Sequence, residues 1–318
     1  MKINLVLWGL GKHSISKLLP AIKKSKKINL YGLFTRNKKI LIQQSKKLSC
    51  KIWSNEKLML SDNKIDVVYL ATPIGLHYEQ GKKVLKSNKH LWSEKSLANN
   101  YKQVSDLVKI AKKKKKKIRK AFMNLYHPIF KKIKNLINKK HIGEIVSVNL
   151  SFYCPHMKKS DWRYKKKLGG GALLDIGCYP VSTYLNLFKN NSRLFDVNLK
   201  KNKNFNVDTS GSAAFISKNT LYNLNWGFGY LYKNNLRIIG TEGTIIAEPF
   251  FSKPISLTPY IKIYKNKKSK KILFSKTNHF LNMLDNFSDI IRNKKKINNH
   301  LQKCLIQSKL INKLRIKK

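Results

Sequence analysis

INLVLWGLGKHSISKLLPAI, residues 3–22, begins with an apolar run broken only by Asn4 and then turns on Gly9-Leu10-Gly11. A strand covered on both faces writes such a continuous run, because neither side alternates to solvent. Beyond the turn, Ile15, Leu18, Leu19 and Ile22 recur at helical spacing. Strand, glycine turn and helix in that order are the context in which helix N-terminal amides hold a pyrophosphate. Gly9 would permit the tight turn and Gly11 the approach of backbone to phosphate, with Lys12 and His13 alongside. The third position of the glycine pattern holds Ser14. A plain strand-to-helix turn is the competing reading.

Working outward, a second strand is expected over Ile28–Phe34, ending in Thr35-Arg36-Asn37. An NAD-selective site would place an acid there for the ribose hydroxyls. Arg36 instead suits a 2′-phosphate, with Thr35 hydrogen-bonding it, which favours NADP(H) and leaves NAD(H) open. Residues 65–71 (IDVVYLA) form another buried-strand run ended by Thr72-Pro73. A helix over 77–86 and a short strand over 89–92 follow, closing on Ser93-Glu94-Lys95-Ser96. This alternation implies a doubly wound parallel sheet, an α/β Rossmann-type domain. Lys95 then lies at the carboxyl edge of a strand, where such sheets bind ligands, and can donate to a substrate oxygen.

A further strand is expected at 121–124, and Tyr126-His127-Pro128 opens a helix with Phe130, Ile133, Leu136 and Ile137 on one face. From there the period becomes two. Val146, Val148, Leu150 and Phe152 alternate with polar residues, as do Tyr222, Leu224, Trp226 and Phe228, the sign of an open, mostly antiparallel sheet. A hairpin with a four-residue loop is expected over 236–247, and helix over 280–311. The boundary falls near Phe122, giving a cofactor-binding domain 1–122 and a substrate and dimerisation domain 123–318.

Within the second part, LGGGALLDIGCYPVS, residues 168–182, carries Asp175 and Tyr179 four residues apart, one turn of helix. A carboxylate and a phenol after a glycine-rich turn could hold and protonate a substrate hydroxyl; a buried helix start is the alternative. Arg163, just ahead of the glycines, is a candidate substrate contact or an exposed loop arginine. His156 reads as structural or surface.

With 67 Lys plus Arg against 15 Asp plus Glu, the net charge is +52. Such a number suggests a nucleic-acid partner. The lysines are spread throughout, however, and the dense run 112–117 falls where an amphipathic helix would expose its polar side. No zinc-finger spacing or recognition-helix pattern accompanies them, so no specific nucleic-acid partner is expected. Cys50, Cys154, Cys178 and Cys304 are widely spaced and match no metal-ligand pattern, reading as thiols of a reducing compartment, the cytoplasm. No apolar stretch approaches the ~18 residues of a membrane span.

Taken together, Gly9-Leu10-Gly11, Ala71-Thr72-Pro73 with His77 following, Glu94-Lys95, His127-Pro128, Gly143-Glu144, the segment 168–182 and Gly240-Thr241-Glu242-Gly243-Thr244 resemble the glucose–fructose oxidoreductase and inositol dehydrogenase (Gfo/Idh/MocA) oxidoreductases. The resemblance runs over nearly the whole chain and is weakest over 253–275. It implies hydride transfer between a nicotinamide cofactor and a carbinol carbon of a sugar or cyclitol. It implies roles for Lys95 (cofactor and substrate hydroxyl), Asp175 (substrate orientation) and Tyr179 (acid/base). It also places Thr72, Pro73, His77 and Glu94 among the cofactor-binding residues, and implies a homo-oligomer, dimer or tetramer. Tyrosine at 179 resembles the branch with dihydrodiol and D-xylose dehydrogenases, where many other members have His. Lys95 near Tyr179 would favour the phenolate that accepts the hydroxyl proton. Two departures stand out: Ser96 replaces a proline usually preceded by a cis peptide, and Leu125 replaces an arginine of the related branch. Competing readings are an NAD-using inositol or nucleotide-sugar dehydrogenase and a non-catalytic cofactor-binding protein.

Overall fold

The computed structural model describes residues 2–188, 192–292 and 297–316. The chain divides into two compact units, Met1–Ala121 with Phe280–Lys309, and Phe122–His279 with Leu310–Lys318. The first is built on strands β1 (Ile3–Trp8), β2 (Ile28–Phe34), β3 (Lys51–Ile52), β4 (Val67–Leu70), β5 (His90–Ser93) and β6 (Ile118–Lys120). All are parallel, in the order β3-β2-β1-β4-β5-β6. Helices α1 (Leu19–Lys24), α2 (Lys38–Leu48), α3 (Glu56–Ser61), α4 (Ile74–Lys86) and α5 (Tyr101–Lys113) connect them. Leu5, Leu7, Val67, Val68, Leu70 and Leu91 are fully buried, as expected of strands covered on both faces. Each such side chain contributes roughly 1.5–3 kcal/mol.

The second unit begins with α6 (Pro128–Asn138) and β7 (Ile145–Cys154), followed by α7 (Cys178–Leu187). Strands β8 (Arg193–Asn202), β9 (Val207–Ser217), β10 (Thr220–Phe228), β11 (Lys233–Gly240), β12 (Gly243–Ala247), β13 (Tyr260–Lys265) and β14 (Lys268–Leu273) complete it. The sheet runs β14-β13-β12-β11-β7-β10-β9-β8 and is antiparallel except where β7 meets β10. Val148, Leu150 and Phe152 of β7 and Leu224, Trp226 and Phe228 of β10 are buried, and α7 packs on these two strands. Trp226 and Phe228 are therefore core residues of the subunit and offer no exposed face for pairing with another copy. The C-terminal region forms α8 (His279–Arg292) and α9 (Ile297–Ile316); positions 293–296 of the helix expected there lie outside the described residues. No helix among the described residues is long and apolar enough to cross a membrane, and all four cysteines are free thiols.

Three local readings change. The strand expected at 121–124 lies earlier, at β6, and Met123–Tyr126 is a 3₁₀ turn. The run 112–117 is solvated only at first. Lys117 is buried, its ammonium donating to the carbonyls of Ile290 and Ile291 (3.1 Å to the latter), the C-terminal end of α8. Cations at a helix C-terminus meet the negative end of its dipole, and this use hid β6 inside a basic run. The hairpin of β11 and β12 turns on two residues, Thr241 and Glu242, since Gly240 pairs with Gly243.

Two histidines act as acceptors in the framework. His90 Nδ1 accepts the Lys117 amide at 3.0 Å, fixing β5 beside β6. His127 Nδ1 accepts the Ile129 amide at 3.2 Å, capping α6. A protonated Nδ1 can do neither. Burial, with Lys116 and Lys117 nearby, pushes His90 down to about 4; burial, with Lys253, pushes His127 down to about 3. Below the unfolded value near 6.5 the unfolded chain binds these protons while the folded chain does not. Stability contributed by the neutral rings should therefore fall on acidification by about 1.4 kcal/mol per pH unit per histidine. Urea unfolding followed from pH 7 to pH 5 should show this slope, and His90→Asn with His127→Asn, which keep a short acceptor, should flatten it.

Candidate active site

In the first unit the loop after β1 turns at Gly9, whose φ is +112°. A Cβ there would lie 2.7 Å from the backbone of Ala71, so only glycine lets the ends of β1 and β4 close together. Gly9 N donates to Phe34 O at 2.8 Å, drawing in the end of β2. Space above Gly11 is open to 4 Å. Ser14, at the third glycine position, is buried, and its hydroxyl lies 3.1 Å from Gly9 O and 2.9 Å from Gly11 O. The serine staples the turn to the helix that follows. Lys12 and His13 are exposed at that helix start, which carries no acidic residue. At the end of β2, Thr35 is half-buried and Arg36 exposed, while Asn37 is committed to capping α2 through Ile40 N at 3.1 Å. A glycine turn with room above it at a helix start, and an arginine rather than an acid at the end of β2, are the features a dinucleotide would need at this edge.

The turns after β4 and β5 hold the remaining expected residues. Pro73 precedes α4, and Thr72 Oγ1 donates to Gln80 Oε1 at 2.6 Å. Glu94 accepts Tyr69 OH at 2.8 Å and lies 3.7 Å from His13 Nε2. Burial pushes its pKa up, but His13, Lys95 and Tyr69 outweigh that and hold the carboxyl below its usual range. The Lys95–Ser96 peptide is cis although no proline follows. His77 is fully buried on α4 with both ring nitrogens on backbone carbonyls, so it offers a brace rather than a surface to a ligand.

In the second unit Asp175 lies on a π-helical turn, Leu173–Gly177, that leads into α7. Arg163 Nε donates to Asp175 Oδ2 at 2.6 Å, and its Nη1 reaches Asp161 Oδ1 at 3.2 Å. The arginine expected to meet substrate is thus bound to the carboxylate expected to orient it. Burial lowers the guanidinium's affinity for its proton, but the two carboxylates more than restore it. The glycines make this possible. A Cβ on Gly170 would strike the Arg163 carbonyl, and one on Gly171, at φ +120°, would strike the Asp208 carboxylate. Asp208 Oδ2 accepts Leu173 N at 2.6 Å, anchoring the helix start. Tyr179 is buried in an aromatic seat with Phe152, Phe122 and Phe251 at ring-centroid distances of 5.4, 5.5 and 6.0 Å. Its hydroxyl donates to Met123 Sδ at 3.3 Å.

Tyr69, Met123 and Asp208 were not singled out in the sequence. Tyr69, a phenol inside the aliphatic run 65–71, was the one with a local signal.

The model described as the oxidoreductase family with an NAD-binding Rossmann fold matches residues 3–122, and the GFO/IDH/MocA C-terminal domain matches 130–246. The chain belongs to the Gfo/Idh/MocA oxidoreductases. It is 26% identical over 262 residues to dTDP-3,4-didehydro-2,6-dideoxy-alpha-D-glucose 3-reductase of Saccharopolyspora spinosa, covering 82% of this chain and 79% of that one. To trans-1,2-dihydrobenzene-1,2-diol dehydrogenase of Xenopus laevis it is 27% identical over 215 residues, covering 65% and 63%. A 3-ketoreductase from Actinomadura kijaniata, solved in complex with NADP and TDP-benzene, shares the fold with a TM-score of 0.94 at 22% identity, covering 99% of this chain and 97% of that one.

The pair of Arg163 and the buried Asp175 is open to a direct test. Arg163→Met removes a charge-assisted bond of 2.6 Å from Asp175 and should destabilise by somewhat less than the ~3–5 kcal/mol of a fully buried pair, since the guanidinium is partly exposed. The double variant with Asp175→Leu should recover much of that loss. Urea unfolding of the wild type, both single variants and the double variant measures the coupling.

Proposed function

We propose that this Gfo/Idh/MocA oxidoreductase prefers NADP(H) and moves a hydride between nicotinamide and a carbinol carbon of a sugar or related polyol. The observation that carries the proposal is the start of α7: a phenol seated among aromatic rings, on a helix that opens with an arginine-held carboxylate. The bound nicotinamide supplies or accepts the hydride. In the reductive direction Tyr179 gives its hydroxyl proton to the substrate oxygen as the carbonyl becomes an alcohol; in the oxidative direction it takes that proton back. Asp175 accepts from a neighbouring substrate hydroxyl, and Arg163 keeps it oriented. Lys95 donates to the reacting oxygen, favouring the charge that develops there. Gly9, Gly11, Lys12 and His13 surround the pyrophosphate, and Thr35 with Arg36 receives the 2′-phosphate.

The named relatives act on nucleotide-linked deoxysugars and on a dihydrodiol. Keto-sugars, free and nucleotide-linked, are therefore the panel on which turnover is expected, together with aldoses and inositols. The reading also carries a cytoplasmic homo-oligomer, dimer or tetramer, which light scattering resolves.

Nicotinamide absorbance followed with each cofactor over this panel should show turnover with NADPH above NADH. Arg36→Ala should raise KM for NADP(H) and leave NAD(H) kinetics unchanged. Tyr179→Phe should lower kcat by about 10²–10⁴-fold while cofactor affinity is retained. Wild-type kcat in Tyr179→Phe would remove the phenol from the mechanism, and cofactor binding with no turnover on any substrate would favour a non-catalytic cofactor-binding protein.

A further inference from the structure

His77 stands in the first turn of α4, where a helical side chain leans back toward the N-terminus. That direction carries its ring over the turn it has just left. Nε2 lies 2.8 Å from Thr72 O, in the turn after β4, and Nδ1 lies 2.8 Å from Ser96 O, in the turn after β5. Ser93 Oγ is 3.2 Å from Nδ1 and 2.9 Å from Glu94 O. Strands β4 and β5 are hydrogen-bonded neighbours, so the imidazole bridges two adjacent turns at the carboxyl edge of the sheet. The ring has no solvent exposure.

We propose that His77 is a positioning residue whose Nδ1–H bond to Ser96 O holds the Glu94-Lys95-Ser96 segment in place. The inference rests on the role given to Lys95 above. A neutral imidazole carries one N–H and can donate to one of the two carbonyls, whereas an imidazolium donates to both. Burial lowers the ring's basicity, against the pull of the two carbonyls and Glu94 and with the push of Lys95. Placed on Nδ1, the single proton fixes Ser96, and the Ser93 hydroxyl is left to donate to Glu94 O. Ser96 O belongs to the residue next to Lys95, so loosening it displaces the lysine's backbone and hence the origin of its side chain. A misplacement of ~1 Å at a reacting group costs on the order of 10²-fold in rate. A histidine that merely fills the core would show no preference for which nitrogen is replaced.

Two substitutions separate the nitrogens: an asparagine amide falls near the position of Nδ1, a glutamine amide near that of Nε2. His77→Gln should lower kcat by about 10²-fold with KM for NADP(H) little changed, and His77→Asn should rescue most of that loss. Amide hydrogen exchange, which needs no turnover, reads the same bond directly. Exchange over 94–98 should quicken in His77→Gln and stay near wild type in His77→Asn, while 71–75, which receives no proton from the neutral ring, should quicken in neither. Ser93→Ala should leave 94–98 protected, and it carries the test if His77→Gln fails to fold by circular dichroism. Equal effects of the two His77 substitutions on 94–98, quickened exchange over 71–75 in His77→Asn, or quickened exchange over 94–98 in Ser93→Ala would overturn the inference. A wild type that shows the exchange pattern but turns over no substrate would instead count against the role given to Lys95.

Discussion

Negative charge is the scarce component of this molecule. Fifteen carboxylates face sixty-seven lysines and arginines, and at +52 the chain repels itself wherever a cation is left without an answer. Carboxylates accordingly stand where one can serve several donors. Asp62 takes the Lys51 ammonium at 2.7 Å, the Tyr31 hydroxyl at 3.2 Å and the Lys64 amide at 3.0 Å. Asp208 holds a helix start, and Asp175 and Asp161 divide one guanidinium between them. Buried lysines that have no carboxylate turn to carbonyl oxygens. Lys89 donates to Asp62 O at 2.8 Å, Lys117 to the end of α8, and Lys253 to Phe250 O. Burial pushes Lys253 down to about 7, showing how weakly a carbonyl replaces a counter-ion. Among so many cations, both clusters of expected site residues keep acids, Glu94 in one and Asp161, Asp175 and Asp208 in the other.

Both clusters also use the same backbone device. The helix after Gly9-Leu10-Gly11 begins with a π-helical turn, Ser14–Leu18, before Pro20 in α1; the helix after the three glycines begins with one, Leu173–Gly177, before Pro180 in α7. Proline supplies no amide for the i→i−4 bond and crowds the carbonyl it would have met, so the preceding turn widens. Glycines on one side and proline on the other thus shape the helix starts on which Ser14, Asp175 and Tyr179 depend. The side-chain bonds of Ser14 and the anchoring of Leu173 N by Asp208 supply hydrogen bonds that each altered turn leaves open.

The parts of the fold legible in the sequence were those whose burial is uniform. β1 is a nearly continuous apolar run because both faces are covered, and its limits could be read directly; β7 and β10 alternate because one face is covered. β6 was misplaced because its residues are basic yet buried, and β14 passed unread because an exposed edge strand, KSKKIL, is written in lysines that discourage further pairing. The site divides in the same way. Local motifs announced Gly9, Lys95, Asp175 and Tyr179. What those residues touch depends on chain brought from a distance: Tyr69 to Glu94, Met123 to Tyr179, Asp208 to Leu173. No periodicity encodes a partner that lies dozens of residues away.

The surroundings of Tyr179 bear most closely on chemistry. Three aromatic rings pack around it, and its hydroxyl donates to a thioether sulfur, a weak acceptor. A strong acceptor would hold the phenolic proton against transfer, and an open pocket would let water compete for it. In a low-dielectric surround, charge arising on the substrate oxygen interacts strongly with whatever donors are fixed around it. The aromatic seat and the Met123 contact accord with the proton-exchanging role proposed above for Tyr179.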